Sequence, residues 1–254
     1  MSEHLRLEFD GRLATIVIDR RAKRNALSLD MWQTIPGYVE RVRAAGARAL
    51  IVRGGEHFSA GADISEFGTL RSGVDGARRY SAAVHAAERA LATLEIPTVA
   101  AITGVCVGGG CELALACDIR VAAVDSRLGI TPANLGLVYH FDSTRKLVDA
   151  VGPAWAKQIL FSADLVDAAT ALRIGLVNEV HPADQVPVRA VALAERMATR
   201  AAVSVRGAKA IIGRIVDGGT GEDPEVTALY DAATASPEYA EGVAAFLSGR
   251  QPHF

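Results

Sequence analysis

A chain of 254 residues, half of them hydrophobic, is long enough to bury a full core and to form one large domain or a main domain with an appended region. Its 27 basic and 29 acidic residues leave a net charge of −2 and are mixed along the chain, so no basic block exists to follow a nucleic-acid backbone. Residues 1–9 carry Glu3, His4, Arg6 and Glu8 in place of an apolar run, which argues against a signal peptide or a membrane span there and makes the cytoplasm the expected location.

The chain opens on two apolar runs, 5–9 and 13–19, around Asp10-Gly11, a pair that tolerates the positive φ of a tight hairpin turn. Ser28 then caps a helical pattern through Ala45, Gly46 stops it, and 49–53 reads as a short buried strand. The order recurs with a long helix over 75–94, Pro97 in the connection and a β-rich run over 98–103. A third round follows, a short helix over 108–116 and a strand over 118–124, suggesting stacked turns that each bury a face on the next. From Asp142 the strand signals fade, and helical patterns cover 144–151, 153–161, 168–174, 186–216, 225–235 and 238–247. Pro153 sits where a first-turn proline is tolerated, and Ser236-Pro237-Glu238 offers a cap followed by proline. The expected division is a core over 1–195 and a helical region over 196–254. Cys106, Cys111 and Cys117 match no zinc or redox spacing and read as small reduced core residues; no metal is expected.

Two segments carry chemistry. In His57-Phe58-Ser59-Ala60-Gly61-Ala62-Asp63-Ile64, small residues follow a buried strand and leave backbone N–H groups open to a ligand. Between Thr103 and Leu113 a strand runs into Gly108-Gly109-Gly110 and then into the first turn of a helix, where unpaired N–H groups and the positive end of the helix dipole converge. Such donors suit a carbonyl oxygen that becomes an enolate, because they are fixed before the charge develops. The glycine spacing fits neither nucleotide-binding fingerprint, which sets pyrophosphate aside. Glu112 stands in that first turn as a candidate general base; the dipole favours its carboxylate, while Leu113, Ala114 and Leu115 disfavour charge.

The stretch from Arg20 to Leu29, the Phe58–Ile64 segment, Gly104 to Asp118, Leu135-Gly136 and the closing Glu241-Gly242-Val243-Ala244-Ala245-Phe246 together resemble the enoyl-CoA hydratase/isomerase, or crotonase, family along nearly the whole chain. The resemblance implies an α/β fold, a crotonase-like spiral of ββα turns with a helical C-terminal region, the latter joining subunits into a homotrimer or homohexamer. It implies an acyl-CoA thioester as the partner, with coenzyme A as part of the substrate, no separate cofactor, no nucleic acid and no membrane. The backbone N–H groups of Ala62 and Gly109 would hold the thioester oxygen. Arg24, Ala26, Ala60, Asp63 and Ile64 would line the path of coenzyme A, and Phe246 would approach it from a neighbouring subunit.

The chain departs from the family at one wall. Hydratases of the family use two glutamates; one matches Glu112, but the second position falls on Pro132. A following glycine-rich turn is replaced by Tyr139-His140-Phe141-Asp142-Ser143, and the stretch from Thr131 to Tyr139 resembles the methylmalonyl-CoA decarboxylase branch. The leading expectation is therefore an enzyme that stabilises a thioester enolate to hydrate, dehydrate or isomerise an enoyl-CoA. The alternatives are a malonyl-type acyl-CoA decarboxylase with Tyr139 or His140 as proton donor, and a catalytically weak acyl-CoA-binding subunit. Read without those roles, Tyr139 is a half-buried ring with its hydroxyl in water and His140 a solvated loop residue.

Overall fold

The computed structural model of the protein describes residues 2–254. The hairpin forms as expected: β1 (Leu5–Asp10) pairs antiparallel with β2 (Leu13–Ile18), and Gly11 takes the positive φ of the turn. Ser28 caps α1 (Leu29–Ala44) by accepting from the Met31 N–H, and Met31, Ile35, Val39 and Val42 recur at helical spacing to bury one face. β3 (Ala49–Arg53) lies parallel to β2, followed by the short α2 (Phe67–Leu70) and the long α3 (Gly73–Ala92).

Two rounds of strand, strand and helix come next. The first is β4 (Thr98–Ile102), β5 (Val105–Val107) and α4 (Gly109–Leu115); the second is β6 (Ile119–Ala123), β7 (Arg127–Gly129) and α5 (Phe141–Ser162). The first strand of each round joins a six-stranded sheet ordered β1-β2-β3-β4-β6-β9, and the second joins a three-stranded sheet ordered β5-β7-β8. β8 (Val166–Asp167), α6 (Ala168–Arg173) and β9 (Glu179–His181) complete both sheets before α7 (Val186–Ala198), α8 (Ala202–Val216), α9 (Pro224–Thr234) and α10 (Pro237–Leu247).

Alternation along the parallel strands supplies two cores. Leu50, Val52, Ala100 and Ile102 point to the side filled by α1, α3 and α4, while Ala49, Ile51, Val99 and Ala101 meet Val186, Ala190 and Ala194 of α7. Each large side chain taken fully from water, such as Trp32 or Leu50, contributes roughly 1.5–3 kcal/mol. Cys106, Cys111 and Cys117 are buried, unpaired core residues.

Two expectations need correction. Strands do not end at Asp142: β8 and β9 are too short to leave a period in the sequence, and they form because β7 and β6 offer edges to pair with. The patterns over 144–151 and 153–161 do form as two helical halves of α5, parted where Gly152 adopts a non-helical φ of 74° ahead of Pro153. The pattern over 186–216 divides into α7 and α8 around Thr199–Ala201, because apolar periodicity carries across a short break without registering it. Among the described residues no helix is long and apolar enough to cross a membrane.

Candidate active site

The two glycine-containing segments are knitted together by the backbone. Ser59 N–H donates to the Val105 carbonyl at 3.0 Å and Val107 N–H to the Ser59 carbonyl at 3.0 Å; Leu27 N–H reaches the Gly61 carbonyl at 2.7 Å, and Asp63 N–H reaches Leu27 at 2.8 Å. Contact is close enough to require glycine: a Cβ on Gly110 would lie 2.6 Å from the Ser59 carbonyl oxygen, and one on Gly61, at φ 99°, would lie 2.8 Å from that of Val107. A methyl placed on Gly109 would sit 3.4 Å from the Ala62 nitrogen, so the two amides are neighbours. Neither the Ala62 nor the Gly109 N–H donates to a backbone acceptor among the described residues. Gly109 is the first residue of α4, where an N–H has no partner within the helix.

Both amides open on one cavity of about 110 Å³. Ala60, Ala62, Ile64, Gly109, Glu112 and Tyr139 all line it, bringing six of the expected site residues together. Trp32, Phe67, Tyr80 and Val84 close it with apolar surface, and Pro132 stands in its wall. The other expected residues lie outside it. Asp63 is buried and ion-paired with Arg20 at 2.6 Å, and it accepts from Ser65 N–H. Arg24 adopts a left-handed φ of 48°, and its carbonyl accepts from Ala60 N–H; the Ala26 carbonyl accepts from Arg20. These three hold the loop in place, a contribution that follows from long-range pairing. Phe246, on α10, is 85% exposed and does not line this chain's cavity. Replacing Asp63 by alanine leaves the Arg20 guanidinium uncompensated and is expected to cost about 3 kcal/mol, read as a lower urea midpoint with an unchanged slope.

Glu112 is the electrostatic centre. Burial pushes its carboxyl up to about 8, the nearby Glu88 charge adds to the rise, and Ser143, Tyr139 and Lys146 offset part of it. Desolvation therefore outweighs the helix dipole that the sequence sets against it. The Tyr139 ring is half-buried as expected, but its hydroxyl is enclosed beside the Glu112 carboxyl without forming a well-aligned hydrogen bond, and burial and Glu112 push it well above the ordinary phenol value. His140 is not a solvated loop residue: its Nε2 lies 2.9 Å from Ser81 Oγ, its ring meets His85 edge-on at 4.2 Å, and burial lowers its proton affinity.

Sequence reasoning missed Glu88. It is 1% exposed, and it accepts from the Ser143 hydroxyl at 3.1 Å and from Lys146 Nζ at 3.5 Å. The signal was its place in the apolar stripe of α3, with Tyr80, Val84 and Leu91 at spacings of three and four.

A profile of the enoyl-CoA hydratase/isomerase family matches residues 8–254. The chain is 34% identical to a crotonyl-CoA hydratase of Syntrophomonas wolfei over 99% of its own length and 98% of that protein. It is 36% identical to a short-chain-enoyl-CoA hydratase of Clostridium acetobutylicum over 82% of this chain and 80% of the other. A crystal structure of an enoyl-CoA hydratase/isomerase family protein from Hyphomonas neptunium superposes with a TM-score of 0.96 at 38% identity, covering 99% of this chain and 97% of that one. The spiral of strand pairs and helices, the helical C-terminal region and these likenesses agree, and the chain belongs to the enoyl-CoA hydratase/isomerase family.

Proposed function

We propose that this enzyme adds water across the double bond of a short-chain 2-enoyl-CoA, with Glu112 as the single carboxylate at the reacting carbons. The observation that carries this reading is the meeting, in one small cavity, of two unpartnered amides and a buried glutamate whose proton affinity is raised. The thioester oxygen would accept from the Ala62 and Gly109 N–H groups, an oxyanion hole that draws electron density from the β carbon. Glu112, ionised, takes a proton from water while the water oxygen bonds to the β carbon, and the π electrons move to the thioester oxygen as an enolate. The α carbon then takes a proton, giving a 3-hydroxyacyl-CoA.

Phe67, Tyr80 and Val84 help close a cavity of about 110 Å³, a size that favours a short acyl chain, as do the names of the crotonyl-CoA and short-chain relatives. Coenzyme A enters as part of the substrate, its path running by Ala60 and Ile64, with Arg24, Ala26 and Asp63 shaping the loop and Phe246 contributed by a neighbouring subunit. Ile212 and Ile215 on α8, and Phe246 and Leu247 on α10, are more than half exposed, an apolar display suited to a homotrimer or homohexamer built through residues 196–254 in the cytoplasm.

The Tyr139 hydroxyl, enclosed in the cavity wall beside Glu112, favours one second reading, decarboxylation of a malonyl-type CoA with Tyr139 as the proton donor. Purified protein given crotonyl-CoA and methylmalonyl-CoA in parallel separates the two by mass spectrometry. A gain of one water on the first supports the hydratase, loss of carbon dioxide from the second supports the decarboxylase, and binding of both esters without turnover points to a binding subunit.

A further inference from the structure

Hydration moves two protons, one from water and one to the α carbon, yet Glu112 is the one carboxylate lining the cavity and Pro132 fills the other wall. A second carboxylate lies behind the first. Glu88 reaches in from α3, is buried to 1% exposure and is fixed from α5 by the Ser143 hydroxyl at 3.1 Å and Lys146 Nζ at 3.5 Å. The Glu112 carboxyl feels Glu88, Ser143 and Lys146, and the latter two both bond to Glu88. Lys146 continues to a separate groove, where it lies with Leu115, Ala150 and Val205. Glu88 caps no helix end, and among the described residues its hydrogen-bond partners are Ser143 and Lys146 alone. Burying a carboxylate on an apolar helix face is unfavourable unless it is paired and hydrogen-bonded, as Glu88 is by Lys146 and Ser143.

We propose that Glu88, held by Ser143 and Lys146, is a positioning residue that lets Glu112 perform both proton transfers and so replaces the family's second glutamate. The inference rests on the hydratase reading. Glu112 takes one proton from water as the hydroxyl bonds to the β carbon, then releases a proton to the enolate α carbon, and its carboxylate is restored with no other group consumed. Glu88 acts through its charge. Burial raises the Glu88 proton affinity, and Lys146 and Ser143 offset part of that rise; the negative charge they maintain makes the Glu112 carboxylate a stronger base toward water, and Lys146 limits the effect so that the proton can still be released. The other groups around the pair are His140, Tyr139 and, along α3, His85 and Arg89; burial keeps the two histidines neutral, and the phenol stays protonated.

The test uses full-length Glu88→Gln and Lys146→Met, each isosteric enough to keep α3 and α5 packed, with folding checked by thermal melting. Carboxyl NMR of glutamate-labelled protein follows Glu112, assigned by its loss in Glu112→Gln, and pH profiles of kcat/KM for crotonyl-CoA follow turnover. In Glu88→Gln the Glu112 titration and the rising limb of the profile move together to lower pH, and kcat on the plateau falls about tenfold with KM within about twofold. In Lys146→Met both move to higher pH. A structural role would lower kcat without moving either titration, and unmoved titrations, or shifts of the same sign in both variants, overturn the proposal. Absence of wild-type hydration would sink the hydratase reading, and with it this role for Glu88, whatever the NMR titration shows.

Discussion

Glu112→Gln lowers kcat for crotonyl-CoA hydration by about 10³-fold, the range for losing one general acid–base group, while acyl-CoA affinity stays within about threefold. The reason is geometric: Glu112 contributes the one carboxylate in the cavity wall, whereas the ester is held by backbone amides that the substitution leaves alone. The wild-type pH profile carries the same signature. As a base Glu112 must be ionised, so kcat/KM is expected to rise with pH through about 8 and to level above it. Stability runs the other way. The folded chain keeps the Glu112 proton up to about 8, whereas the unfolded chain loses it near the ordinary value of 4.5. The folded state therefore binds more protons in that window, and its stability falls as pH rises from 4.5 through 8. Glutamine carries no such penalty, so Glu112→Gln melts higher than wild type at pH ~9, by a few kcal/mol in stability at most, and the difference closes toward pH ~5. A variant equally active, or destabilised at alkaline pH, would remove Glu112 from the role of base.

Gly109→Ala is expected to lower kcat by about 10²-fold, the effect of spoiling one oxyanion donor. The position is helical, so no backbone strain arises from the new side chain. Its methyl would lie 2.9 Å from Trp32 Cζ2 and 3.4 Å from the Ala62 nitrogen. Trp32 is fully buried and lines the same cavity, so either α4 shifts, moving one amide relative to the other, or the ring is driven into the space beside them. Differential loss in the transition state predicts that kcat falls more than KM rises, measured by steady-state kinetics beside a calorimetric titration with a non-reacting acyl-CoA. Equal loss in binding and turnover would show that the amides hold the ground state and do not discriminate the enolate.

Much of this protein was legible before folding. The hairpin at Asp10-Gly11, the Ser28 cap, the parallel strands and the helical final third follow from short-range chemistry: turn residues, capping side chains and apolar period. The glycines of both loops were legible for the same reason, because a close backbone approach admits no side chain and leaves that mark in the sequence. The sequence by itself also singled out Glu112, and the family resemblance added the expectation of a missing second glutamate at Pro132. Only the tertiary structure decided what stands behind Glu112. Glu88 lies 24 positions upstream on another helix, and its burial and its approach through Ser143 depend on how α3, α4 and α5 pack, which no local pattern encodes. The balance at Glu112 was decided there too: the dipole of α4 is a local term that the sequence displays, but desolvation is set by everything packed around the carboxyl, and it is the larger.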